Sequence, residues 1–460
     1  MKRATVLCVF LLCGALARPA HAQLLGGLLG GVLGTRGQVQ SRLIVRDSLG
    51  VPVLQLTCWL LGCRVQEELD GNLGHVFLIT SDNPVATLLS RLLAMPGVVD
   101  VEPDLLLTQP EPAPLANVPG LWDRTTENFY GTAVWHGYAA QPATWQIQLP
   151  AARLLANTTG AGVVALIGTG VDVTQPVLKN VLLPGYNFLT NQPNGADSQV
   201  NQYSMAVVNQ YSMAVVNNAY PPVQVNQYAM AVVNQQGAST DSQPDNADFG
   251  HGTMVAGIVH LVAPTAQILP LRAFGDDGSG YLSDVLRAIY YAVGQHANVI
   301  NMSFDFPTAA PELQKAVAYA NASGVVCVAS VGNDGEDVMV YPAGYSDDVM
   351  GIASVNTADQ RSSFSNYGAD VVFAAAPGEA VITTYPGDTY AAGWGTSFSA
   401  PFVSGTVALM EGLQPGLTPD QAMQALSHDT PSDPSLGHGV LDVAQVLTAL
   451  QTEMNYGGGD

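Results

Sequence analysis

The sequence predicts an α/β protein with a mostly parallel central sheet and helices on both faces, preceded by a small α+β domain. From about residue 149 onward, apolar strand segments alternate with helical patterns, which is typical of crossover units and a parallel sheet. Residues 41–107 carry a separate strand–helix–strand pattern. A proline-rich stretch, "TQPEPAPLANVPG", follows that unit and is typical of a linker.

The N-terminus has the pattern of a secretory signal peptide. Lys2 and Arg3 precede an apolar run, and Ala20-His21-Ala22 follows it as a cleavage site. A membrane anchor is the weaker interpretation, because the apolar run is too short to span a bilayer. We therefore expect residues 1–22 to be removed near Ala22 and the protein to be secreted, either extracellular or periplasmic.

The unit at 41–107 is predicted to be a small α+β domain. Strands are expected in "RLIVR" and "HVFLIT", a helix in "NPVATLLSRLLAMPG", and a closing strand in "VVDVEPDLLL". Cys58 and Cys63 lie five residues apart and could form a disulfide in an oxidising compartment. Cys327 lies inside the apolar run "GVVCVAS" and is expected to be a buried thiol.

The remaining chain divides into a linker with an N-terminal extension (108–148), the main domain (149–452) and a flexible tail (453–460). Six strands are expected in the main domain, in "VVALIG", "QILPLRAF", "NVINMSF", "GVVCVASVG", "VMGIASV" and "VVFAAAPG". One clear helix is expected in "YLSDVLRAIYYAVGQHA".

An insertion at about 190–242 interrupts this alternation. The octapeptide "NQYSMAVV" occurs at 201–208 and 209–216, and "NQYAMAVV" occurs at 226–233. Three copies of eight residues are too few and too short for a repeat architecture. We interpret the segment as a surface insertion that grew by duplication; a peptide-binding flap is the alternative.

The charge balance excludes some partners. Fifteen basic and 37 acidic residues give a formal net charge of −22. A protein with this balance is not suited to neutralising the phosphates of nucleic acid or an anionic membrane surface. We expect neither partner.

Three short motifs together suggest nucleophilic catalysis. His251 and Ser397 each begin an apolar helix, and Asn333 follows a buried strand between Gly332 and Asp334. Each alone is more typical of a helix cap or a turn. Jointly they supply a serine nucleophile, a histidine base and an amide donor for an oxyanion, and the helix N-terminus at Ser397 adds backbone N–H groups.

These motifs resemble those of the subtilisin-like serine peptidases. "HGTMVAG", "GTSFSAP" and "VGND" occur in that family's order, and the resemblance runs from about residue 149 to residue 449. It implies protein or peptide substrates gripped by two strand edges, at Gly278, Ser279 and Gly280 and at Ser303, Phe304 and Asp305. The family usually has glycine where Asp305 stands, which changes the first specificity pocket.

The resemblance extends to maturation and cofactors. The unit at 41–107 resembles the family's inhibitory propeptide, which implies a zymogen inhibited by its own propeptide. Calcium is common in the family, but the resemblance assigns no ligand in this chain.

One family residue is missing. The family's first motif is a strand followed by Asp-Ser/Thr-Gly, and this chain has Gly168-Thr169-Gly170. The lost aspartate would orient the base histidine and stabilise its imidazolium. Asp172 matches a second family aspartate and does not fill the position, while Asp245 and Asp248 are candidate substitutes.

Two functions therefore remain open. The first is a serine endopeptidase of weak activity, and the second is a pseudopeptidase that binds peptides without cleaving them. Retention of His251, Ser397 and Asn333 favours the first. A lipase-type hydrolase is disfavoured, since no G-x-S-x-G motif surrounds the serine.

Overall fold

The computed structural model of the chain describes residues 40–107, 118–156, 158–194, 230–233, 250–276, 278–427 and 433–456. The predicted signal peptide, the first two repeat copies, and Asp245 and Asp248 lie outside these residues. The described residues from Ser41 onward belong to one compact unit.

A mostly parallel sheet of eight strands organises the larger domain. Its strand order is β10-β9-β12-β8-β14-β15-β16-β17, and only the β9–β10 pair is antiparallel. The six long strands fall inside the six predicted strand segments. The strands are β8 (Val163–Gly168), β9 (Tyr186–Asn187), β10 (Gln192–Pro193), β12 (Gln267–Arg272), β14 (Val299–Met302), β15 (Val326–Ser330), β16 (Val349–Val355) and β17 (Ala374–Pro377).

Helices cover both faces of this sheet, as the sequence predicted. Along β8, Val164 and Leu166 face one apolar core, and Ala165 and Ile167 face another, because successive side chains of a strand point to opposite sides. Helices α6 and α9 close the first core, and α7 and α8 close the second. The helices are α5 (Leu149–Ala156), α6 (His251–Val262), α7 (Leu282–Gly294), α8 (Pro311–Ala322), α9 (Thr396–Leu413), α10 (Pro419–Leu426) and α11 (Val443–Tyr456). Helix α11 extends past the predicted start of the tail at residue 453.

A second, three-stranded sheet leads into α9. Its order is β11-β19-β18, with both pairs antiparallel. The strands are β11 (Met230–Val233), β18 (Val381–Tyr385) and β19 (Thr389–Trp394).

The N-terminal domain is a four-stranded antiparallel sheet with two helices, in the chain order β1-α1-β2-β3-α2-β4 and the sheet order β2-β3-β1-β4. Its elements are β1 (Ser41–Asp47), α1 (Val51–Leu61), β2 (Cys63–Glu68), β3 (Val76–Ser81), α2 (Val85–Leu92) and β4 (Val98–Pro103). Helix α1 and strand β2 were not predicted from the sequence. The predicted closing strand is interrupted after Pro103 and resumes as β5 (Leu106–Leu107).

The cysteines lie where the sequence suggested. A disulfide joins Cys58 in α1 to Cys63 at the start of β2. Cys327 is a buried free thiol, and burial raises its pKa to about 12. A thiol held so firmly in its protonated form is suited to packing, not to nucleophilic chemistry.

Residues 118–148 pack onto the larger domain. The segment holds the hairpin β6 (Thr126–Phe129) and β7 (Thr132–Trp135) and two short helices, α3 (His136–Ala139) and α4 (Pro142–Gln146). Trp135 stacks on Tyr390 at a centroid distance of 4.6 Å. The side-chain amide of Gln141 bonds both the N–H and the C=O of Ile382, as a neighbouring strand would. The second half of the predicted linker therefore contributes to the first core.

Candidate active site

The turn after β8 has space for a side chain at Gly168. Gly168 is buried at the carboxyl end of this central strand, where its carbonyl accepts the N–H groups of Ala273 and Phe274. A Cβ placed on Gly168 would meet no atom within 4 Å, and its φ is outside the left-handed region. Neither space nor backbone conformation requires glycine here.

The start of α6 packs directly on this turn. The N–H of Gly252 donates to Oγ1 of Thr169 at 3.1 Å. A Cβ at Gly252 would lie 2.0 Å from the carbonyl oxygen of Gly170, so only glycine permits this approach. Gly168 immediately precedes Thr169, and His251 immediately precedes Gly252. The contact between Thr169 and Gly252 therefore brings Gly168 and His251 to the same end of the sheet. His251 is 4% exposed.

Ser397 lies in the first turn of α9, and α9 packs against α6. Its hydroxyl donates to the carbonyl of Ser303 at 3.2 Å, and the Ser303 hydroxyl donates to the carbonyl of Ser397 at 2.8 Å. The next residue, Phe398, lies against His251 with ring centroids 5.6 Å apart. The structure therefore brings the predicted nucleophile, base and one predicted substrate strand together.

Asn333 is fixed by the residue before the serine. Its Oδ1 accepts both the backbone N–H and the hydroxyl of Thr396, at 2.8 and 3.0 Å. Because a backbone N–H can only donate, the atom facing it must be the amide oxygen. The other terminal group of the amide is then the NH₂, which is a donor of the kind that an oxyanion needs.

The two predicted substrate strands lie at this same end. Gly280 begins β13 (Gly280–Tyr281), and a Cβ there would approach the carbonyl of Ala273 to 2.4 Å. Phe304 is buried against Phe274 with ring centroids 4.9 Å apart. Asp305 extends toward Gly332, where a Cβ would lie 2.9 Å from its Oδ2. A carboxylate therefore stands beside the residue that precedes Asn333.

Asp172 is committed to structural hydrogen bonds. Its Oδ1 accepts the N–H and hydroxyl of Thr174, and its Oδ2 accepts the N–H of Gly387. It is fully buried and ties the turn after β8 to the turn between β18 and β19. These bonds agree with the inference that it does not replace the missing aspartate.

Comparisons with known proteins decide the family. Residues 160–452 match the model of the subtilase family. The chain belongs to this family. Thermitase from Thermoactinomyces vulgaris is 34% identical over 275 residues, which are 58% of this chain and 80% of thermitase. The major intracellular serine protease of Bacillus subtilis is 31% identical over 263 residues, which are 54% of this chain and 67% of that protein.

The fold comparison agrees with the sequence comparison. A solved structure described as a lanthipeptide protease aligns with a TM-score of 0.51 at 22% identity, covering 67% of this chain and 94% of that one. The resemblance inferred from the three motifs and the predicted fold class are confirmed. As a subtilase, the chain is a serine-type endopeptidase by class.

In this subtilase the N-terminal domain occupies one edge of the predicted cleft. Strand β5 pairs antiparallel with β13, with Leu107 opposite Gly280 and Leu106 opposite Tyr281. The N–H of Leu282 donates to the carbonyl of Leu105 at 2.9 Å. A segment of the chain thus lies in extended form along a strand edge that the resemblance assigns to substrate.

Two acidic side chains of that domain sit at helix N-termini of the larger domain. Asp104 accepts the N–H and hydroxyl of Ser283 at the start of α7, at 2.9 and 3.0 Å. Glu102 accepts the N–H of Glu312 at the start of α8, at 3.3 Å. Unpaired N–H groups and the helix dipole favour an acceptor at these positions, which offsets part of the cost of burying the two carboxylates; burial still raises the pKa of both.

Two arginines of the N-terminal domain form ion pairs with carboxylates at this interface. Arg46 makes a two-pronged contact with Glu312, with a shortest distance of 2.6 Å, and Arg42 pairs with Asp104 at 2.7 Å. Burial raises the pKa of Glu102 to about 7, since desolvation outweighs its hydrogen bond from Glu312. These pairs could not be predicted from the sequence, because each joins residues that lie far apart in the chain.

Among the described residues, no group of three or more His, Cys, Asp or Glu side chains is placed to hold a metal ion. No helix in that part of the chain is long and apolar enough to cross a membrane.

Proposed function

We propose that this subtilase is a secreted zymogen whose Ser397 and His251 hydrolyse peptide bonds slowly, because position 168 carries no carboxylate. Its substrates are proteins or peptides bound in extended form. The slow rate in this proposal rests on one observation above all: Gly168 is buried beside the start of α6 with unfilled space around it.

In the first step the serine must transfer its proton to the histidine. The Ser397 hydroxyl now donates to Ser303, so this bond is exchanged for one to His251 when the nucleophile is activated. Such an exchange has a small net cost, since one hydrogen bond replaces another. The imidazolium that forms receives no charge stabilisation from position 168.

The tetrahedral intermediate is stabilised by groups that are already in place. The first turn of α9 directs backbone N–H groups and a positive dipole end at the developing oxyanion. The NH₂ of Asn333, oriented by Thr396, supplies a side-chain donor. In subtilisin, loss of the orienting aspartate alone costs about 3 × 10⁴ in kcat, and the oxyanion donors with substrate binding still retain about 10³–10⁴ over water. We expect activity of that reduced order here.

The N-terminal domain acts as the intramolecular inhibitor in this proposal. Leu106 and Leu107 occupy the strand edge that a substrate would pair with. Asp104 and Glu102 anchor the domain at two helix ends. A substrate therefore has to displace this segment, or the segment has to be cleaved and released.

The alternative is a pseudopeptidase that binds extended peptides without cleaving them. The same missing side chain at Gly168 favours it, since the strand edge at β13 would still bind a chain by backbone pairing.

Hydrolysis of fluorescently labelled casein by the purified protein separates the two functions. The wild type and Ser399→Ala should cleave at equal, low rates, and Ser397→Ala should fall to the background. Ser399 is a matched control, because it lies on the same turn of α9 and its hydroxyl donates to the carbonyl of Pro377. Casein binding with no cleavage above Ser397→Ala would establish the pseudopeptidase instead.

A further inference from the structure

The space at Gly168 lies beside a buried cation. Gly168 pairs with Arg272 in the parallel register of β8 and β12, so the two residues end their strands side by side. Nη1 of Arg272 donates to the carbonyl of Thr169 at 2.6 Å, and the arginine side chain is buried. A guanidinium therefore contacts the residue that follows Gly168.

The positive end of an ion pair points at this turn. Nη2 of Arg272 donates to Oδ1 of Asp276 at 2.7 Å, while Nη1 contacts the carbonyl of Thr169. A neutral carbonyl does not cancel the charge on the nitrogen that it contacts. The turn after β8 is therefore an electrostatically favourable place for an anion.

The space at Gly168 suits a very small acid. An aspartate side chain is a carboxylate on one methylene, and apart from the two chain neighbours no described atom lies within 4 Å of the methylene position. Gly168 is buried, which excludes bulky solutes. Formate is a carboxylate without the methylene, so it can lie in van der Waals contact with the α-carbon to which aspartate would be bonded. Acetate has one carbon more and fits less well.

We propose that the space at Gly168 binds a small monocarboxylate, formate above all, and that the bound anion replaces the missing aspartate in catalysis. This inference rests on the proposed peptidase function. The site adjoins the start of α6, because Gly252 bonds to Thr169, so the anion lies on the side of the sheet where His251 lies. There it orients the imidazole and stabilises its charged form, as a covalently attached aspartate does.

The size of the ligand bounds its affinity. Formate has three non-hydrogen atoms and can reach a Kd of about 1 mM at best, so activation should saturate only at millimolar concentrations or above. The ceiling for recovery is the factor of about 3 × 10⁴ in kcat that subtilisin loses with this aspartate. A ligand that is not covalently fixed is less well oriented, so we expect a gain in kcat of about 10–10³.

Initial rates of casein hydrolysis near neutral pH measure this gain, in sodium formate against sodium chloride at the same ionic strength. Acetate should activate less than formate, and propionate should not activate, because the buried space does not admit a longer chain. Formamide has the shape of formate without its charge and should leave the rate unchanged. Equal rates in formate, formamide and chloride would overturn the proposal.

Gly168→Asn is the matched variant, because its side chain fills the same space with an amide. Formate should not change its rate, whereas Gly168→Asp should be fast with or without formate. Activation of Gly168→Asn equal to that of wild type would place the effect elsewhere in the protein and overturn the proposal. Melting curves establish that the variants are folded, and the wild-type ligand series decides if they are not.

A binding measurement separates failure of this site from failure of the peptidase. The NMR signal of isotope-labelled formate should be broadened by the wild type and stay sharp with Gly168→Asn. Hydrolysis above that of Ser397→Ala, with no effect of formate, would retain the peptidase and overturn the carboxylate site. Broadening by the wild type with no hydrolysis in any salt would overturn the peptidase, and with it the catalytic role of the bound anion.

Discussion

Restoring a carboxylate at position 168 should raise the activity by orders of magnitude. In Gly168→Asp the new side chain enters space with no atom within 4 Å of its Cβ, on a backbone that needs no left-handed conformation. The turn that carries it is hydrogen-bonded to the residue after His251. The carboxylate can then orient the imidazole and stabilise its charged form.

The size of the gain follows from the cost of the opposite change. Losing this aspartate in subtilisin costs about 3 × 10⁴ in kcat, which is about 6 kcal/mol at 1.36 kcal/mol per tenfold. Full recovery requires the carboxylate to reach His251 in productive geometry. We expect an increase of at least about a hundredfold in kcat and a ceiling near 10⁴-fold, with KM little changed.

The assay is hydrolysis of labelled casein after release of the N-terminal domain, with melting curves to establish equal folding. Gly168→Asn is the matched control, because it has the same shape but no charge and should stay near the wild-type rate. Equal rates for Gly168→Asp, Gly168→Asn and wild type would refute the claim that the missing carboxylate limits catalysis.

Three further predictions address the oxyanion donor, the interface and the core. Asn333→Ala in the Gly168→Asp background should lower kcat by about 10²–10³, because one oxyanion donor is lost. The KM for the same casein substrate should change little. An unchanged kcat would show that Asn333 does not stabilise the oxyanion. The docked N-terminal domain should bind more tightly at pH 5 than at pH 8, because burial raises the pKa of Glu102 to about 7 and the docked state therefore holds the extra proton. Hydrogen exchange at residues 98–107 of the Ser397→Ala chain, corrected for the intrinsic rate, should be slower at the lower pH. Glu102→Gln should reduce this difference, and the remainder belongs to Asp104 and Asp284, whose pKa values are also raised by burial. An undiminished pH difference in Glu102→Gln would remove Glu102 from the explanation. His260→Leu should stabilise the fold by about 1–3 kcal/mol at neutral pH, because both ring nitrogens of His260 are buried with no hydrogen-bond partner in the described part of the chain. Burial lowers the pKa of this histidine to about 4, so wild-type stability should fall as the pH drops from about 6.5 to 4. Urea unfolding of the variant should lose that component of the acid dependence, and a less stable variant would contradict the reasoning.

The parallel strands were predictable because each is buried on both faces. Val163–Gly168 and Val349–Val355 read as continuous apolar runs bounded by turns, which is what two cores on opposite sides of a sheet require. The catalytic candidates were predictable for a different reason: their motifs are local in sequence, and each motif fixes a turn or a helix start.

Helix α1 was not predictable from periodicity. "VPVLQLTCWLL" is apolar on every face, so no helical stripe stands out, and Leu56, Trp59 and Leu60 are exposed in the structure. The contacts of Arg42, Arg46 and Glu102 could not be inferred either, because nothing near them in sequence indicates which helix end they meet.

Whether the purified protein still carries its N-terminal domain shows directly if Ser397 is a working nucleophile without its aspartate. Intact mass spectrometry of the wild type and of Ser397→Ala measures it, because self-cleavage of a segment already held at the cleft needs only slow chemistry. We expect the wild type to have lost about a hundred N-terminal residues and Ser397→Ala to have lost only the predicted signal peptide. If both proteins keep the N-terminal domain, Ser397 is catalytically silent and the proposed hydrolysis does not occur.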